Sequence, residues 1–204
     1  MLVVGLTGNI AAGKSVVASA LAARGAHIVD ADVLAREAVI PGSEALARIV
    51  ARWGRAVLSA DGALDREALR RRVFGHPAEL EALNAIMHPE VRRRRDLILA
   101  AARDAGERLV VCVIPLLFEA QLERDVDAVV LVDAPADVRL ERLVRDRKID
   151  RATAGAMMAA QGPPELKRAR ADYVIDNDAP LGALDARVET LWTALAARAG
   201  VPSA

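Results

Sequence analysis

The chain is short of cysteine, of aromatic residues and of any excess of charge, and each shortage excludes a class of protein. Only one of the 204 residues is cysteine and only 2% are aromatic. One cysteine cannot form an internal disulfide, so we expect Cys112, inside the apolar run Leu109 to Ile114, to be a buried hydrophobic residue of a protein in the reducing cytoplasm. The scarcity of aromatic side chains removes the stacking platforms of single-strand binders, so nucleic acid is not an expected partner.

Charge and hydropathy exclude two further classes. The 28 Lys and Arg residues are balanced by 28 Asp and Glu residues, which argues against a general polyanion binder such as a duplex-DNA protein. No uninterrupted apolar stretch approaches the roughly 18 residues needed to span a bilayer, and no basic region precedes the first apolar run, Leu2 to Leu6. We therefore expect a cytoplasmic protein with no membrane partner.

Short β-rich runs alternate with helical patterns along the chain. The runs are continuously apolar, which is typical of strands in a parallel sheet that is covered on both faces. They are Leu2 to Leu6, His27 to Val29, Leu109 to Ile114, Val126 to Val132 and Tyr173 to Ile175. The helical patterns are Ser15 to Arg24, Ser43 to Trp53, Asp65 to Phe74, Ala78 to Ala102, Pro135 to Arg147 and Leu181 to Ala199. The prediction is a single α/β domain, residues 1–204, with a central, mainly parallel sheet.

Two segments depart from simple alternation of strand and helix. The stretch from Ala31 to Glu107 is too long for a simple crossover, so we expect a helical insertion, about residues 31–107, where a second substrate would be held. The charged segment Arg139 to Arg151 precedes the hinge sequence Gly162-Pro163-Pro164, and together they predict a lid, about residues 139–169. The core would then consist of about residues 1–30, 108–138 and 170–200.

A glycine-rich sequence stands between the first strand and the first helix. Gly8-Asn9-Ile10-Ala11-Ala12-Gly13-Lys14-Ser15 matches the phosphate-binding pattern G-x-x-x-x-G-K-[ST]. Glycines let the backbone curl so that N–H groups point at phosphates, Lys14 can reach the outer phosphates, and the Ser15 hydroxyl can ligate magnesium. The alternative is a chance glycine-rich turn, but the strand, loop and helix in sequence favour a nucleoside-triphosphate site.

Carboxylates follow two of the predicted strands. Asp30 and Asp32 come directly after the second strand, at the sheet edge where open α/β sheets bind ligands. We expect Asp32 to hold or deprotonate an acceptor hydroxyl, whereas Asp30 either shares in that chemistry or caps the helix that begins near Val33. Asp133 ends an apolar run, a position typical of a metal-binding acid after a strand, but the following Ala134-Pro135 favours a structural role as a helix cap.

Basic residues gather in two places. Arg139, Arg142, Arg145 and Arg147 lie on one predicted helix. Several of them could share a face and converge on phosphates when the lid closes, with solvated surface arginines as the alternative. The run Arg92 to Arg95 favours a solvated helix face over a phosphate patch.

Residue types alone leave two short sequences without a firm assignment. His88-Pro89 lies within a helical pattern that Pro89 must kink or restart, and a histidine at such a break is usually a capping or core residue. Pro115 to Glu119 forms an apolar wall that ends in a carboxylate, which by itself could be loop packing.

The ordered series of these sequences resembles dephospho-coenzyme A kinases over nearly the whole chain. The series comprises Gly5-Leu6-Thr7-Gly8-Asn9-Ile10 with Gly13-Lys14-Ser15, Asp30-Ala31-Asp32 with Ala35-Arg36, His88-Pro89, Pro115-Leu116-Leu117-Phe118-Glu119, Ala159-Ala160-Gln161 and Ala171 to Asp178. The resemblance implies a three-layer phosphate-loop kinase fold that uses ATP and Mg²⁺ to phosphorylate the ribose 3'-hydroxyl of dephospho-coenzyme A. We expect a monomer or a weak homo-oligomer.

The resemblance also implies which residues form the site. It assigns catalysis to Lys14, Asp32 and Arg142. It assigns ATP binding to Gly8, Asn9, Ile10, Ala11, Ala12, Gly13, Lys14, Ser15, Val16, Arg145 and Asn177. It assigns binding of dephospho-coenzyme A to Asp32, His88, Leu117, Glu119 and Arg142, and the metal to Ser15.

The chain departs from the usual pattern of this family at several positions. Ala11-Ala12 replaces the more common Gly-Ser or Gly-Ala, which is tolerable where backbone N–H groups do the binding. Val113 stands where many members have an aspartate, Arg147 where the lid usually has a glycine, and Met157 where an arginine is frequent. These replacements bear on a third metal-site carboxylate and on the contacts of the lid.

Two other functions stay open on the sequence alone. A kinase for another small metabolite or nucleotide would carry the same loop, because the loop does not name the acceptor. A nucleotide-dependent switch usually carries the guanine-reading sequence Asn-Lys-x-Asp, which does not occur in this chain.

Overall fold

The fold is built on a five-stranded sheet. The computed structural model describes residues 1–178 and 181–201. Its strands are β1 (Leu2–Thr7), β2 (His27–Asp30), β3 (Leu109–Val113), β4 (Ala128–Asp133) and β5 (Tyr173–Asp176). Their order is β2-β3-β1-β4-β5, and β1 pairs in parallel with β3 and β4, as β4 does with β5. The predicted α/β class with a parallel sheet is confirmed, and parallel pairing brings the carboxyl ends of these strands to one edge.

Helices fill the connections between the strands. They are α1 (Lys14–Ala23), α2 (Ala31–Glu37), α3 (Glu44–Trp53), α4 (Arg66–Val73), α5 (Pro77–Asp104), α6 (Ala136–Arg147), α7 (Arg151–Ala159), α8 (Pro164–Arg168) and α9 (Leu181–Ala199). Short 3-10 turns lie at Arg55–Val57 and Leu122–Asp125. Within the described ranges, none of these helices is both long enough and apolar enough to cross a membrane.

The chain divides into two compact units, of which the first is Met1–Val29 with Ala102–Ala204. Strands β1 and β3 are buried along their whole length, as expected for a parallel sheet covered on both faces. Cys112 of β3 is 1% exposed, which confirms the prediction of a buried hydrophobic residue. The core of this unit therefore lies around the central strands.

The second unit, Asp30–Ala101, has a small core of its own. That core is formed by Val39, Ala45, Leu46, Ile49, Val57, Leu69, Val73 and Ile86. Helix α4 begins after Asp65, whose carboxylate accepts a hydrogen bond from Ala68 N–H at 2.9 Å, so Asp65 is the N-cap of this helix. The predicted insertion, about residues 31–107, overlaps this unit.

Two prolines lie in or next to predicted helices. Helix α5 continues through Pro89, although a proline removes one N–H donor from the helix. Of the two alternatives at Pro89, the restart of the helix is therefore wrong, and a kink stays a prediction. Pro135 occupies the N-cap of α6 with ψ 149°, so the helix begins one residue later than predicted and Pro135 lies outside its first turn.

The beginning of β4 also differs from the prediction. Pairing with β1 starts at Ala128 rather than at Val126. The Asp127 carboxylate accepts a hydrogen bond from Val3 N–H at 2.8 Å, so its side chain already occupies a backbone donor of β1. The ladder consequently begins after this aspartate.

Candidate active site

The glycine-rich loop between β1 and α1 lies against the ends of β4 and β5. Gly8 has φ 153° and Gly13 has φ 103°, a region that residues with a Cβ rarely adopt. A Cβ at Gly8 would overlap the carbonyl oxygen of Val132, and a Cβ at Gly13 would overlap the side-chain nitrogen of Asn177. Both positions therefore require glycine, and the loop forms a tight backbone cradle.

Lys14 opens helix α1 and folds back over this loop. Its Nζ donates hydrogen bonds to the carbonyl oxygens of Gly8 at 2.7 Å and Asn9 at 3.2 Å. Ser15 is exposed in the first turn of α1, where N–H groups without intrahelical partners bind phosphate. The cradle, the ammonium group and the hydroxyl together fit a nucleoside triphosphate with Mg²⁺, which keeps several waters and takes few protein ligands.

Asn9 contributes to the loop in a different way. It is 3% exposed, and its Oδ1 has no hydrogen-bond partner among the described residues. An amide oxygen accepts hydrogen bonds, as phosphate oxygens do, so this atom is not suited to bind phosphate directly. Any contact of Asn9 with a nucleotide would use its N–H groups.

Arg142 and Asn177 hold the far side of the loop. Arg142 lies on α6, and its Nη1 contacts the carbonyl oxygens of Ala11 at 3.3 Å and Ala12 at 3.4 Å. Its Nη2 donates to the backbone oxygen of Asn177 at 3.0 Å. Asn177 Nδ2 donates to Ala12 O at 2.7 Å. The structure thus brings both predicted site residues next to the phosphate loop.

Gln161 is a loop contact that the residue assignments omitted. Its Oε1 accepts a hydrogen bond from Ile10 N–H at 2.7 Å, across 151 positions of sequence. The only sequence signal was its place in the series Ala159-Ala160-Gln161, because a contact over this separation has no local pattern.

The arginines of α6 do not all face the loop. Arg139 is 5% exposed, and its Nε donates to Ala134 O at 3.1 Å. Arg145 is exposed and pairs with Asp146 at 2.7 Å; this hydrogen bond raises the pKa of Arg145 and lowers that of Asp146. Steps of three residues fall about 60° short of a full helical turn, so the arginines rotate progressively around the helix. ATP binding by Arg145 stays a prediction.

The acids at the ends of β4 and β5 share one arginine. Arg168 Nη1 lies 2.8 Å from Asp133 Oδ2 and 2.6 Å from Asp176 Oδ1. The pKa of Arg168 is raised, chiefly by the hydrogen bond to Asp176 and then by that to Asp133. Pro135 holds the N-cap of α6, so the suggestion that Asp133 caps this helix is wrong. Its contacts are nevertheless structural, because it pairs with Arg168 and accepts a hydrogen bond from Ala134 N–H at 2.9 Å. Residues 1–178 and 181–201 contain no group of three or more His, Cys, Asp or Glu side chains arranged to hold a metal.

The two carboxylates after β2 have different surroundings. Asp30 is the N-cap of α2, and its Oδ1 accepts from Asp32 N–H at 2.8 Å and Val33 N–H at 3.4 Å. The capping alternative is therefore observed for Asp30. Asp32 lies in the first turn of α2 with an exposed side chain, which leaves its carboxylate accessible to an acceptor hydroxyl.

The segment after β3 divides into buried and exposed side chains. Leu117 is fully buried and its Cδ1 packs over Gly5, whereas Leu116 is 53% exposed. Glu119 Oε1 lies 2.7 Å from Nζ of Lys167, whose side chain is 5% exposed. Leu117 would have to leave the core to expose its side chain to a substrate, and Glu119 already has an ionic partner. Their assignment to the acceptor stays a prediction.

The basic run of α5 is partly exposed, with Arg92 and Arg93 at the surface and Arg94 and Arg95 half-buried. Glu90 pairs with Arg93 and with Arg94, each at 2.8 Å, and these contacts make the run an ion-paired helix face. His88 is exposed in the middle of α5. The alternative of a core or capping histidine is therefore wrong, and acceptor binding by His88 stays a prediction.

Comparison with known proteins gives one consistent result. Residues 2–182 match the dephospho-CoA kinase family. A dephospho-CoA kinase of Streptomyces avermitilis is 48% identical over 203 residues, which cover 99% of this chain and 98% of the relative. The solved structure of TT1252 from Thermus thermophilus has a TM-score of 0.82 at 36% identity, over 97% of each chain. Dephospho-CoA kinase from Campylobacter jejuni has a TM-score of 0.63 at 21% identity over 95% of this chain and 96% of its own, a likeness of fold.

Proposed function

The chain belongs to the dephospho-CoA kinase family, and from this premise we propose that it transfers the γ-phosphate of ATP, as the magnesium complex, to the ribose 3'-hydroxyl of dephospho-coenzyme A. It is a kinase of coenzyme A biosynthesis, and its reaction is the last step of that synthesis. The products are coenzyme A and ADP. The observation that carries the proposal is the phosphate cradle formed by Gly8, Gly13 and Lys14 within this family match.

The loop and its neighbours bind the nucleotide in this proposal. Backbone N–H groups of the loop between Gly8 and Val16 surround the phosphates, apart from the N–H of Ile10, which donates to Gln161. Lys14 turns its ammonium from loop carbonyls to the outer phosphates. Arg142, beside Ala11 and Ala12, offsets charge on the transferring group. Ser15, together with water, would hold magnesium, which would neutralise phosphate charge when bound. Asn177 and Arg145 complete the nucleotide contacts.

Asp32 acts on the acceptor in this proposal. Its exposed carboxylate accepts the proton of the ribose hydroxyl or holds its oxygen in line, the role of an aspartate in other kinases. Leu117, Glu119 and His88 are proposed to bind the rest of dephospho-coenzyme A. The buried Leu117 would shape the wall of the site, and Glu119 would act from its pair with Lys167.

The test of the reaction is a coupled ADP-release assay with ATP and magnesium. Dephospho-coenzyme A, adenosine, AMP and buffer alone are compared as acceptors, and the product is identified as coenzyme A. We expect turnover with dephospho-coenzyme A only. Turnover with another acceptor would replace the assigned substrate, and equal ATPase without any acceptor would favour a nucleotide switch.

Two substitutions test the acceptor side and the nucleotide side of the mechanism separately. Asp32→Asn should lower kcat by about a hundredfold or more, because the amide cannot accept the proton, while the affinity for ATP stays near that of the wild type. Lys14→Ala should instead weaken the use of ATP itself. Wild-type turnover of Asp32→Asn would remove Asp32 from the mechanism, and unchanged ATP kinetics of Lys14→Ala would overturn the loop assignment.

We propose a cytoplasmic enzyme, consistent with the single buried thiol of Cys112, that works as a monomer or weak homo-oligomer. One catalytic domain would comprise the core, an acceptor-binding insertion of about residues 31–107 and a lid of about residues 139–169.

A further inference from the structure

Gln161 presents the two ends of its amide to different surroundings. Its Oε1 accepts the hydrogen bond from Ile10 N–H at 2.7 Å. Because a backbone N–H can only donate, the oxygen must face the loop, and this fixes which way the amide points. The Nε2 group on the same carbon carries two N–H donors, and within residues 1–178 and 181–201 no group accepts a hydrogen bond from it. Gln161 thus offers two oriented donors beside the phosphate loop.

Helix α8, which follows Gln161 in the chain, is held to the sheet by ion pairs. Lys167 is buried against Glu119 at 2.7 Å, and Arg168 bridges the carboxylates of Asp133 and Asp176 at the ends of β4 and β5. Only Gly162 and Pro163 separate Gln161 from α8. Gln161 therefore lies next to an anchored helix, and its own hydrogen bond to the loop restricts its side chain before a ligand binds, which lowers the entropy cost of binding.

The chemistry of the loop selects an acceptor of hydrogen bonds for these donors. Ile10 is the third residue of the phosphate-binding sequence, and Lys14 and Arg142 supply cations to the same loop. Given the proposed function, on which this inference rests, we propose that Gln161 binds the nucleotide: Ile10 N–H holds its Oε1, and its Nε2 donates a hydrogen bond to a phosphate oxygen. No covalent step is involved, and the residue positions phosphate for the reaction.

Two substitutions distinguish this role from a purely structural one. Gln161→Glu keeps the size and the oxygen that accepts from Ile10, but it replaces the two donors by a second carboxylate oxygen. Gln161→Ala removes both interactions. A structural anchor would be preserved by glutamate and lost by alanine, whereas a phosphate ligand would be converted by glutamate into a repulsive charge. The order of the nucleotide affinities of the two variants therefore distinguishes a phosphate ligand from a structural anchor.

The measurement is the affinity for ADP and ATP with magnesium and without acceptor, by titration calorimetry. We expect alanine to weaken binding about tenfold and glutamate about a hundredfold, while the nucleotide-free melting temperature of Gln161→Glu stays near that of the wild type. Gln121→Glu, the same change at the only other glutamine in the sequence, should bind as the wild type does.

The outcomes distinguish this inference from the function on which it rests. Glutamate binding as tightly as the wild type, or more tightly than alanine, would overturn the role of Gln161 while nucleotide binding itself persists. Unchanged affinity of Gln161→Ala would overturn it as well, even if the glutamate variant failed to fold. Failure of the wild type to phosphorylate dephospho-coenzyme A would count against the proposed function and leave the order of nucleotide affinities readable.

Discussion

One alanine of the phosphate loop adopts a backbone conformation that glycine normally holds. Ala11 has φ 59°, in the left-handed region where a Cβ costs about 1 kcal/mol or more. The glycine that is more common here in the family would avoid this cost. The motif leaves the position unrestricted, so the sequence indicated a tolerable replacement, and the positive φ of Ala11 became visible only in the structure.

Ala11→Gly should therefore raise the free energy of unfolding. Glycine reaches positive φ without steric cost, and this gain exceeds the extra freedom of glycine in the unfolded chain, so we expect a net increase of about 0.5–1 kcal/mol. Urea unfolding at neutral pH measures the change. Because the loop binds through its backbone, nucleotide affinity should stay near that of the wild type.

Ala12→Gly is the matched control for that substitution. Ala12 is fully buried and is absent from the residues with positive φ, so glycine there removes a buried methyl group and relieves no strain. We expect a loss of about 1 kcal/mol. Equal effects of the two substitutions would show that the conformation of Ala11 is not the source of its effect.

Residue roles were predictable where the signal is local in the sequence. Gly8, Gly13 and Lys14 follow a fixed spacing that phosphate binding requires. In the structure these residues form the tight backbone cradle of the loop. The contact of Gln161 with Ile10 joins residues 151 positions apart. No periodicity or spacing encodes such a pair, so only the fold could reveal it.

Among the elements, α8 depends on a buried ion pair. Lys167 has a side chain that is 5% exposed, and its partner Glu119 has one that is 36% exposed. We expect Glu119→Gln to lower the free energy of unfolding by about 2 kcal/mol, because a buried ammonium group loses its charged partner. Chemical unfolding of the two proteins measures this difference.

The double variant Lys167→Met with Glu119→Gln supplies the control for that pair. Methionine fills similar space without a charge, so most of the lost stability should return. If Glu119 instead bound the acceptor alone, Glu119→Gln would raise KM for dephospho-coenzyme A with no change in unfolding. That result would remove the ion pair from the account of α8.

Helix α7 should respond to pH through its N-cap. Asp150 accepts a hydrogen bond from Thr153 N–H at 2.9 Å, and its pKa is lowered, chiefly by hydrogen bonding to the Thr153 side chain and then to its backbone. A lowered folded-state pKa means that the carboxylate stabilises the fold above its unfolded pKa of about 3.9, and that this is lost as pH falls through the folded value. Asp150→Asn keeps a capping oxygen without titrating. Its stability, followed by urea unfolding from neutral pH to below about 4, should fall less than that of the wild type; parallel curves would contradict the assignment.

Long elements were easier to predict than short ones. The apolar runs of β1 and β3 predicted the ends of those strands to within one residue, because burial on both faces leaves a continuous apolar pattern. Helix α8 has only five residues, fewer than two turns, and therefore no measurable period. Its position is set by Lys167 and Arg168 in contact with distant acids, which a local pattern does not contain.

At the scale of the molecule, the proposed nucleotide ligands lie in one compact unit, whereas the proposed acceptor residues come from both units. The proposed nucleotide ligands, from Gly8 to Val16 with Arg142, Gln161 and Asn177, belong to the unit formed by Met1–Val29 and Ala102–Ala204. Of the proposed acceptor residues, Asp32 and His88 belong to the unit Asp30–Ala101, which has its own core, whereas Leu117 and Glu119 belong to the first unit. The sequence predicted an insertion from the length between two strands, but the separate core required knowledge of which apolar residues meet.

This division predicts where a nucleotide stabilises the molecule. ADP with magnesium at about 100 times its Kd should stabilise the state that binds it by about 2.7 kcal/mol. Hydrogen exchange should therefore slow in the loop, residues 8–16, and in the segment around Gln161. The core of the second unit, around Ile49 and Val57, should change little, because it contributes none of the proposed nucleotide ligands. Lys14→Ala should lose the protection in the loop. Equal protection of both units by ADP would mean that they open as one cooperative structure, and protection that survives Lys14→Ala would place the nucleotide elsewhere.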